Sequence, residues 1–508
     1  MMKKILPAIL ISVFTFHFST FYCSAQPGSL DNSFGTGGKV VTSVGSGTDV
    51  GNCTAIQSDG KILVAGYSSN GSNNDFAIVR YNTNGTLDNA FGTGGKTTTA
   101  VGSGRDEGFS IAIQSDGKIV VAGLSNNGAN NDFAVVRYTT AGVLDNTFGT
   151  GGKVTTAIGT SNEQVQSVAI QADGKIVACG YTYNGSNYDF ALVRYTTAGA
   201  LDNTFGTGGK VSTDFGGTAD EAFAVAIQSD GKIVATGQTV QSMQTDFATV
   251  RYNSNGSPDN TFDTDGIVIT DMSSDDEAFA LAIQTDGKIV VAGYTNQSSS
   301  DIAIVRYSTS GSLDNTFGTG GTVFTDYGGS AEWAYGVKLQ SNGKIVVGAS
   351  YFCCSDYDFS VARYNSNGSL DTGFDTDGIV TTDFGGSNDQ TMAVAIQADG
   401  KIILAGSSGS DFALARYTGG TVGIDETMAG SLFTVSPNPF SDELKISNLN
   451  NGYEGIVTLY DAIGNKILNQ KTSSAETVLS TNGIVAGLYL LRVECEGEVK
   501  NYKVIKSR

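Results

Sequence analysis

A six-residue segment that occurs seven times limits the fold more than any other feature of this chain. The segment QSDGKI at 57–62 recurs, with small changes, at steps of 57, 57, 57, 56, 56 and 57 residues. The later copies begin at Gln114, Gln171, Gln228, Gln284, Gln340 and Gln397. Repeats of this length are typical of chains in which each repeat buries its surface against its neighbours.

Each repeat contains four short apolar or alternating runs, which in the first repeat cover 39–44, 53–57, 61–65 and 76–81. Gly, Asn and Asp separate the runs, a pattern typical of strands joined by tight turns. Asp59-Gly60 between the second and third runs predicts a type I′ hairpin, in which both residues have positive φ. No helical pattern of ten residues interrupts the repeats.

Seven units of four strands predict an all-β chain folded as a seven-bladed β-propeller, in which each blade protects its neighbour's edge. An open β-solenoid is the alternative architecture. After the repeats the composition changes, and three further strand patterns predict a small β-sandwich. The expected organisation is a signal peptide at 1–25, the propeller at 26–418, a linker at 419–432 and a C-terminal domain at 433–508.

The first 25 residues have a basic start, an apolar run and small residues before Gln26, as in a secretory signal peptide. A membrane anchor and a lipoprotein signal at Cys23 are the alternatives. Cleavage would leave 28 basic and 50 acidic residues, a net charge of −22. This acidic surface argues against nucleic-acid partners and anionic membranes. No transmembrane segment is expected after cleavage.

The mature chain is predicted not to be an enzyme. The single histidine, His17, lies in the predicted signal peptide, which excludes a Ser-His-Asp triad and the usual zinc sites with histidine ligands. The five cysteines outside the signal are odd in number and scattered, so they form no disulfide framework, and Cys353-Cys354 receive no role. No cofactor is predicted, with calcium as the one candidate ion.

The candidate calcium ligands lie in two repeats where aspartates replace glycines. Alternating aspartates before a glycine present hard oxygen ligands, although both loops lack a closing bidentate acid. Aspartate also tolerates the turn conformations of glycine, so a structural role is the alternative. The four residues are Asp263, Asp265, Asp375 and Asp377.

The parity of four antiparallel strands places the variable loops, 1-2 and 3-4, on one face. Aromatic residues interleaved with acids in these loops predict a ligand-binding face for sugars or a protein surface. Neutral variation of exposed loops is the alternative. The candidate binding residues are Trp333, Tyr335, Tyr351, Tyr183 and Tyr188. A hydrolase or lyase of extracellular polysaccharides would instead use carboxylates of this face, among Asp220, Glu221, Asp276, Glu277 and Glu332.

In every repeat an aspartate is followed five residues later by an arginine, as Asp75 is followed by Arg80. This spacing puts the two side chains on opposite faces of a strand. We therefore expect each arginine to contact a carbonyl or an acid of the adjacent blade.

The C-terminal segment from about 433 resembles the sorting domain of the type IX secretion system of Bacteroidetes. The resemblance lies in Pro437-Asn438-Pro439, in Gly487 and Tyr489, and in Lys503 to Lys506, together with Leu459-Tyr460-Asp461 and Gly464. It implies that the secretion machinery recognises this domain as partner. The implied location is the outer cell surface or the medium.

The repeats resemble the delta-60 repeat family of β-propellers, through LDxxFG, QxDGKI and DFAxxRY over residues 30–417. That family implies the fold and no activity. The sequence therefore predicts an exported propeller that serves as a ligand-binding, adhesion or scaffold module. The polysaccharide hydrolase or lyase is the alternative.

Overall fold

The computed structural model describes residues 26–296, 299–328, 331–353, 355–385, 388–420, 433–436, 440–448, 455–461, 466–472, 476–485, 487–495 and 498–506. The regular structure within these ranges consists of strands, and no helix there is long and apolar enough to cross a membrane. The predicted signal peptide, most of the predicted linker, Cys354 and 437–439 lie outside the described residues.

Residues 39–417 form seven antiparallel sheets of four strands, which confirms the predicted seven-bladed propeller. The innermost strands are β2 (Asp49–Ile56), β6 (Asp106–Ile113), β10 (Glu163–Ile170), β14 (Asp220–Ile227), β18 (Asp276–Ile283), β22 (Ala331–Leu339) and β26 (Asp389–Ile396). Each of them contacts the innermost strands of the two neighbouring blades, and β2 contacts β26, so the ring is closed.

The other three strands of each blade follow outward. The second strands are β3 (Ile62–Ser69), β7 (Ile119–Asn126), β11 (Ile176–Tyr183), β15 (Ile233–Gln241), β19 (Ile289–Thr295), β23 (Ile345–Cys353) and β27 (Ile402–Ser408). The third strands are β4 (Asn74–Tyr81), β8 (Asn131–Tyr138), β12 (Tyr188–Tyr195), β16 (Gln244–Tyr252), β20 (Asp301–Tyr307), β24 (Asp356–Tyr364) and β28 (Asp411–Tyr417). The outermost strands are β5 (Lys96–Thr99), β9 (Lys153–Thr156), β13 (Lys210–Thr213), β17 (Ile267–Thr270), β21 (Thr322–Thr325), β25 (Ile379–Thr382) and β1 (Lys39–Thr42).

The first strand of the chain closes the ring. β1 pairs with β28 as the outermost strand of the last blade, with Lys39 opposite Ala415 and Thr42 opposite Phe412. Each sequence repeat is therefore displaced by one strand from the blade, since its first run completes the preceding blade. The closure covers the edge of the last blade and joins the two ends of the propeller.

The second and third strands are buried on both faces and form apolar clusters between adjacent blades. A buried arginine ties each pair of blades together near the edge of these clusters. Arg137 donates from Nε to Asp145 Oδ2 at 2.9 Å and from Nη1 to the Thr197 carbonyl of the next blade at 2.5 Å. Its guanidinium carbon lies 4.6 Å from the centre of the Phe148 ring. The predicted contact with the adjacent blade is confirmed.

The hairpin between β2 and β3 differs from the predicted type I′ turn. Gly60 has φ of 83°, whereas Asp59 is not among the residues with positive φ. The amide of Gly60 donates to the Gln57 carbonyl at 2.9 Å, and Asp59 Oδ1 accepts from the Lys61 amide at 3.1 Å. The type I′ prediction is wrong because the aspartate carboxylate bonds the backbone ahead of it, which needs no left-handed residue at that position.

The C-terminal residues form a three-stranded sheet and a four-stranded sheet. The strands are β29 (Phe433–Ser436), β30 (Glu443–Asn448), β31 (Gly455–Asp461), β32 (Lys466–Thr472), β33 (Glu476–Ser480), β34 (Gly487–Cys495) and β35 (Glu498–Lys506). Leu444 and Leu479 of the first sheet share an apolar cluster with Leu459, Leu491 and Val504 of the second. This packing confirms the predicted small sandwich.

Candidate binding site on the variable-loop face

The loops that vary between repeats lie together on one face, called the loop face. It carries the loop that precedes each innermost strand and the loop between the second and third strands. Asn73, in the loop between β3 and β4, donates from Nδ2 to the Gly104 carbonyl in the loop before β6, at 2.7 Å. Loops of adjacent blades therefore meet, and the innermost strands begin directly beneath them.

Each innermost strand carries a fully buried acid at its loop-face end. Asp49 Oδ2, for example, accepts from the amides of Val44 at 2.6 Å and Gly45 at 3.0 Å. The acids are Asp49, Asp106, Glu163, Asp220, Asp276, Glu332 and Asp389, each with 0% exposure. Asp220 and Asp276 likewise accept from the amides of Phe215 and Met272, each at 2.8 Å. Because Asp220, Asp276 and Glu332 are all fully buried, they are not exposed carboxylates open to a substrate.

The residue that follows the buried acid on each innermost strand varies in type from blade to blade. These residues are Val50, Glu107, Gln164, Glu221, Glu277, Trp333 and Gln390, one from each blade. Because side chains alternate along a strand, this second ring points away from the buried acids. It is only partly buried, apart from Glu107, and so remains open to solvent.

A β-bulge follows two residues later in all seven innermost strands and turns one further side chain towards the central axis. The bulged residues are Asn52, Phe109, Gln166, Phe223, Phe279, Tyr335 and Met392. The ring centres of Phe223 and Phe279 are 5.2 Å apart, and those of Phe279 and Tyr335 are 5.0 Å apart. Blades are numbered 1 to 7 in the chain order of their innermost strands, from β2 to β26. Blades 4, 5 and 6 thus share an aromatic layer beneath the second ring.

Glu221 and Glu277 are neighbouring acids of the second ring, and their negative charges are only partly compensated by nearby groups. Burial, followed by the charge of Glu277, raises the pKa of Glu221 to about 7. Burial also raises the pKa of Glu277, against a hydrogen bond from Tyr294, whose hydroxyl donates to Oε1 at 2.7 Å. By contrast, Glu107 is held by Asn74 at 2.6 Å and by Arg105 at 3.5 Å. Groups with such perturbed pKa values cluster at functional sites.

Aromatic side chains flank this pair of glutamates on both sides. On one side Tyr294 lies 6.1 Å from Trp333, and Trp333 lies 5.5 Å from Tyr357, between ring centres. On the other side, Tyr181 lies opposite Gln164, the second-ring residue of the blade that precedes Glu221, and burial and then the charge of Glu221 raise its pKa. Together these residues form a continuous row, here called the arc: Tyr183, Tyr188, Tyr181, Glu221, Glu277, Tyr294, Trp333 and Tyr357.

The structure brings four of the five predicted ligand residues to the arc or directly beside it. Tyr183 and Tyr188 lie edge to face at 5.3 Å, and Tyr335 packs on Phe279 below Trp333. Tyr351 lies apart, 5.7 Å from Tyr327. The predicted loop position is wrong for all five residues. Trp333 and Tyr335 belong to β22 and Tyr351 to β23, while Tyr183 ends β11 and Tyr188 begins β12.

The sequence interpretation missed Tyr294, which completes the arc, together with the aromatic layer of Phe223 and Phe279. Tyr294 was hidden because it lies within a regular strand and not in a variable loop. The bulge leaves no mark in the repeat spacing, because it occurs in every copy. Aligning the residue that follows the buried acid in each repeat would have revealed Glu221, Glu277 and Trp333 as one ring.

The four aspartates predicted to bind calcium lie in tight turns. Asp263 and Asp375 have φ of 53° and 49° and stand where Gly92, with φ of 53°, stands in another blade. Asp265 Oδ1 accepts from the Ile267 amide, and Asp377 Oδ1 accepts from the Ile379 amide, each at 2.9 Å. Among the described residues, the groups of three acids able to share an ion lie elsewhere.

Of the predicted sorting residues, Gly487 begins β34, and Tyr489 is 6% exposed with its hydroxyl donating to the Val485 carbonyl at 2.8 Å. Lys503 lies in β35. Lys506 is 8% exposed, donates to the Ser441 carbonyl and lies 5.8 Å from the Phe440 ring. Pro437, Asn438 and Pro439 lie outside the described residues.

Two family descriptions match this chain. The "Domain of unknown function (DUF5122) beta-propeller" matches at 57–91, 114–148, 171–205, 228–262, 284–317, 340–374 and 397–419. The "Secretion system C-terminal sorting domain" matches at 434–507. The first match supports the propeller repeats and does not bear on the delta-60 name. The second indicates export to the cell surface or secretion, with the sorting machinery as partner.

Solved structures resemble this chain at low identity and with TM-scores below 0.5. PorZ, a surface component of the type-IX secretion system of Porphyromonas gingivalis, has 10% identity and a TM-score of 0.40, over 90% of this chain and 59% of PorZ. An ulvan lyase of polysaccharide lyase family PL25 has 14% identity and a TM-score of 0.43, over 75% of this chain and 96% of the lyase. A puromycin hydrolase has 11% identity and a TM-score of 0.44, over 84% of this chain and 62% of the hydrolase.

This chain thus spans about three fifths of the length of PorZ. No curated protein matches it. The matched segments nevertheless include the second and third strands of all seven blades and almost the whole C-terminal sandwich. The chain carries seven DUF5122 β-propeller repeats followed by a secretion system C-terminal sorting domain.

Proposed function

We propose that this exported propeller binds an extracellular polysaccharide along the arc and does so without chemical turnover. The observation that carries the proposal is the half-buried pair Glu221 and Glu277, set between two groups of aromatic rings. Its role at the cell surface would be attachment to, or capture of, the polymer.

The chemistry of the arc suits a hydroxyl-rich ligand. Tyrosine and tryptophan rings offer apolar faces to the C–H side of a sugar ring, and their polar groups remain able to bond hydroxyls. A carboxylate accepts hydrogen bonds from two adjacent hydroxyls. A row that extends over blades 3 to 6 offers several such contacts in sequence, as a polymer chain would need.

Charge favours a neutral polymer over an anionic one. Glu221 and Glu277 lie at the centre of the arc, and the mature chain is predicted to carry a net charge of −22. Carboxylate or sulfate groups on a ligand would be repelled there. Arg105, which lies beside Glu107 in blade 2, is already paired.

A glycan array tests the proposal, followed by titration calorimetry with the polymer that binds. We expect Tyr294→Phe to weaken binding at least threefold, because it removes the hydroxyl that orients Glu277 and keeps the ring. Tyr67→Phe is the matched control, since Tyr67 holds the corresponding position opposite Val50 in blade 1. Equal effects of both variants, or no glycan bound by the wild type, would contradict the proposal.

A polysaccharide hydrolase or lyase is the second candidate function. One observation favours it: Glu221 has a pKa near 7 beside a second carboxylate, as an acid and base pair requires. Against it, Glu221 and Glu277 occupy a repeated position that is filled by glutamine in blades 3 and 7. Release of reducing ends or unsaturated products from a bound polymer, lost in Glu221→Gln while binding persists, would establish turnover and replace the binding-only proposal.

A further inference from the structure

A group of three acids lies at the junction of blades 4 and 5, outside the arc. Asp246 lies in β16, Asp271 follows β17 directly, and Asp276 begins β18. One carboxylate oxygen from each lies within 4.8 Å of the other two. Three negative groups at this separation repel one another strongly unless a cation lies between them.

Asp246 lacks the hydrogen bonds that its counterparts receive. It is 7% exposed, and its Oδ1 is buried with no hydrogen-bond partner, as is Oδ1 of Asp75 and of Asp132. In other blades an asparagine five residues earlier donates to the aspartate, as Asn70 does to Asp75 at 2.9 Å and Asn127 to Asp132 at 3.0 Å. In blade 4 that position is Gln241, which donates instead to the Phe215 carbonyl. Asp246 therefore lacks the donor that Oδ2 of Asp75 and of Asp132 has, and a buried carboxylate without that donor is costly and points to a missing ligand.

A lysine found at other blade junctions is also absent from this one. Lys96, Lys153 and Lys210 each open an outermost strand and donate to the carbonyl of the residue that follows the preceding blade's outermost strand, namely Ser43, Ala100 and Ala157. At the junction of blades 4 and 5 the following residue is Asp271, and the outermost strand of blade 5 opens with Thr322. A third acid thus appears where the neighbouring ammonium is lost.

We propose that Asp246, Asp271 and Asp276 bind one calcium ion at the junction of blades 4 and 5. Calcium fits because all three ligands are hard oxygens and their spacing leaves room for backbone carbonyls or water. Asp276 Oδ2 accepts from the Met272 amide at 2.8 Å and Oδ1 accepts from the Ser274 hydroxyl at 3.2 Å, so the ion would use a remaining lone pair of this carboxylate. The ion would fix the loop at 271–275 against blade 4.

The three equivalent groups differ in ways that favour this junction. Asp189, at the junction of blades 3 and 4, already accepts from Asn184 and from Ser212. Asp301, at the junction of blades 5 and 6, accepts from the Ser299 hydroxyl at 2.6 Å. At the junction of blades 7 and 6, Lys39 reaches the Asp383 carbonyl at 2.9 Å. The site lies outside the arc, so calcium binding here and glycan binding at the arc are tested separately.

The test is titration calorimetry of the full mature chain with calcium chloride after treatment with a chelator, combined with thermal unfolding. We expect micromolar or tighter binding and a rise in the unfolding temperature. Asp271→Asn keeps the acceptor that bonds the Ser273 amide and removes the charge, so it should weaken binding at least tenfold. Circular dichroism would confirm that the variant folds.

Two control variants distinguish this site from others. Asp265→Asn alters a turn predicted from the sequence to bind calcium, and Asp132→Asn alters the counterpart of Asp246 at a junction that carries Ala157 and Lys210. Both should leave calcium binding unchanged. Absence of binding to the wild type, only millimolar binding equal in all variants, or a loss confined to Asp265→Asn would each overturn the proposal.

Discussion

Glu221→Gln should stabilise the protein at high pH and leave its stability unchanged at low pH. The pKa of Glu221 is raised from 4.5 to about 7, a change of about 2.5 pH units, or roughly 3.4 kcal/mol at 1.36 kcal/mol per unit. Because the side chain is only half-buried, solvent screening reduces this to about 2 kcal/mol.

The sign follows from proton linkage. The folded protein holds the Glu221 proton more tightly than the unfolded chain, so stability falls as pH rises from about 4.5 to 7 and stays low above that. Glutamine cannot ionise and removes this loss. For about 390 propeller residues, with an unfolding entropy of ~2.1 cal/mol/K per residue, about 2 kcal/mol corresponds to a rise of about 2 to 3 °C in the unfolding temperature.

Differential scanning calorimetry at pH 5 and pH 8 measures this difference. Glutamine already occupies the equivalent position in blades 3 and 7, as Gln164 and Gln390, so the variant should fold. Gln164→Glu is the reverse exchange and should lower the unfolding temperature at pH 8. A difference between Glu221→Gln and wild type that is the same at both pH values, or destabilisation at pH 8, would refute the reasoning.

Three further predictions concern the scaffold. Although burial disfavours its charge, hydrogen bonds from Thr147 and the charges of Arg137 and Lys118 lower the pKa of Asp145 to about 2, so Asp145→Asn should cost about 2 kcal/mol at pH 7. That cost should disappear as pH falls from about 4 to 2, and urea unfolding that shows an equal cost at pH 2 would contradict it. A Cβ on Gly293 would lie 1.8 Å from the Glu277 carbonyl, so Gly293→Ala should destabilise by about 1 to 3 kcal/mol in thermal unfolding, and a neutral result would exclude the close contact. Removing residues 26–42 deletes β1 and exposes the edge of β28, so size-exclusion chromatography should show association or an expanded chain, whereas an unchanged monomer would disprove the closure.

The repeat spacing was enough to predict the number of blades and the four strands in each. The runs at 61–65 and 76–81 correspond to β3 and β4, which are buried on both faces and therefore read as continuous apolar segments. The innermost strand was predicted too short, since 49–52 is polar and glycine-containing. Its inner edge faces the axis and needs no apolar pattern.

The assignment of strands to blades could not come from the sequence. A repeat has no natural starting point, and the same seven units could be divided between any two strands. The pairing of β1 with β28 sets the division, because the ring closes only when the first strand covers the edge of the last blade.

The sequence by itself determined the fold class, the C-terminal sorting domain and the face on which variation is concentrated, because each of these depends on residue type and spacing along the chain. The tertiary structure alone decided which side chains meet. Glu221 and Glu277 are 56 residues apart in sequence, as are Asp220 and Asp276, yet the first two approach at the axis while the second two are buried in separate junctions. One step along a strand reverses the direction of the side chain, and the curvature of the ring then determines which directions converge.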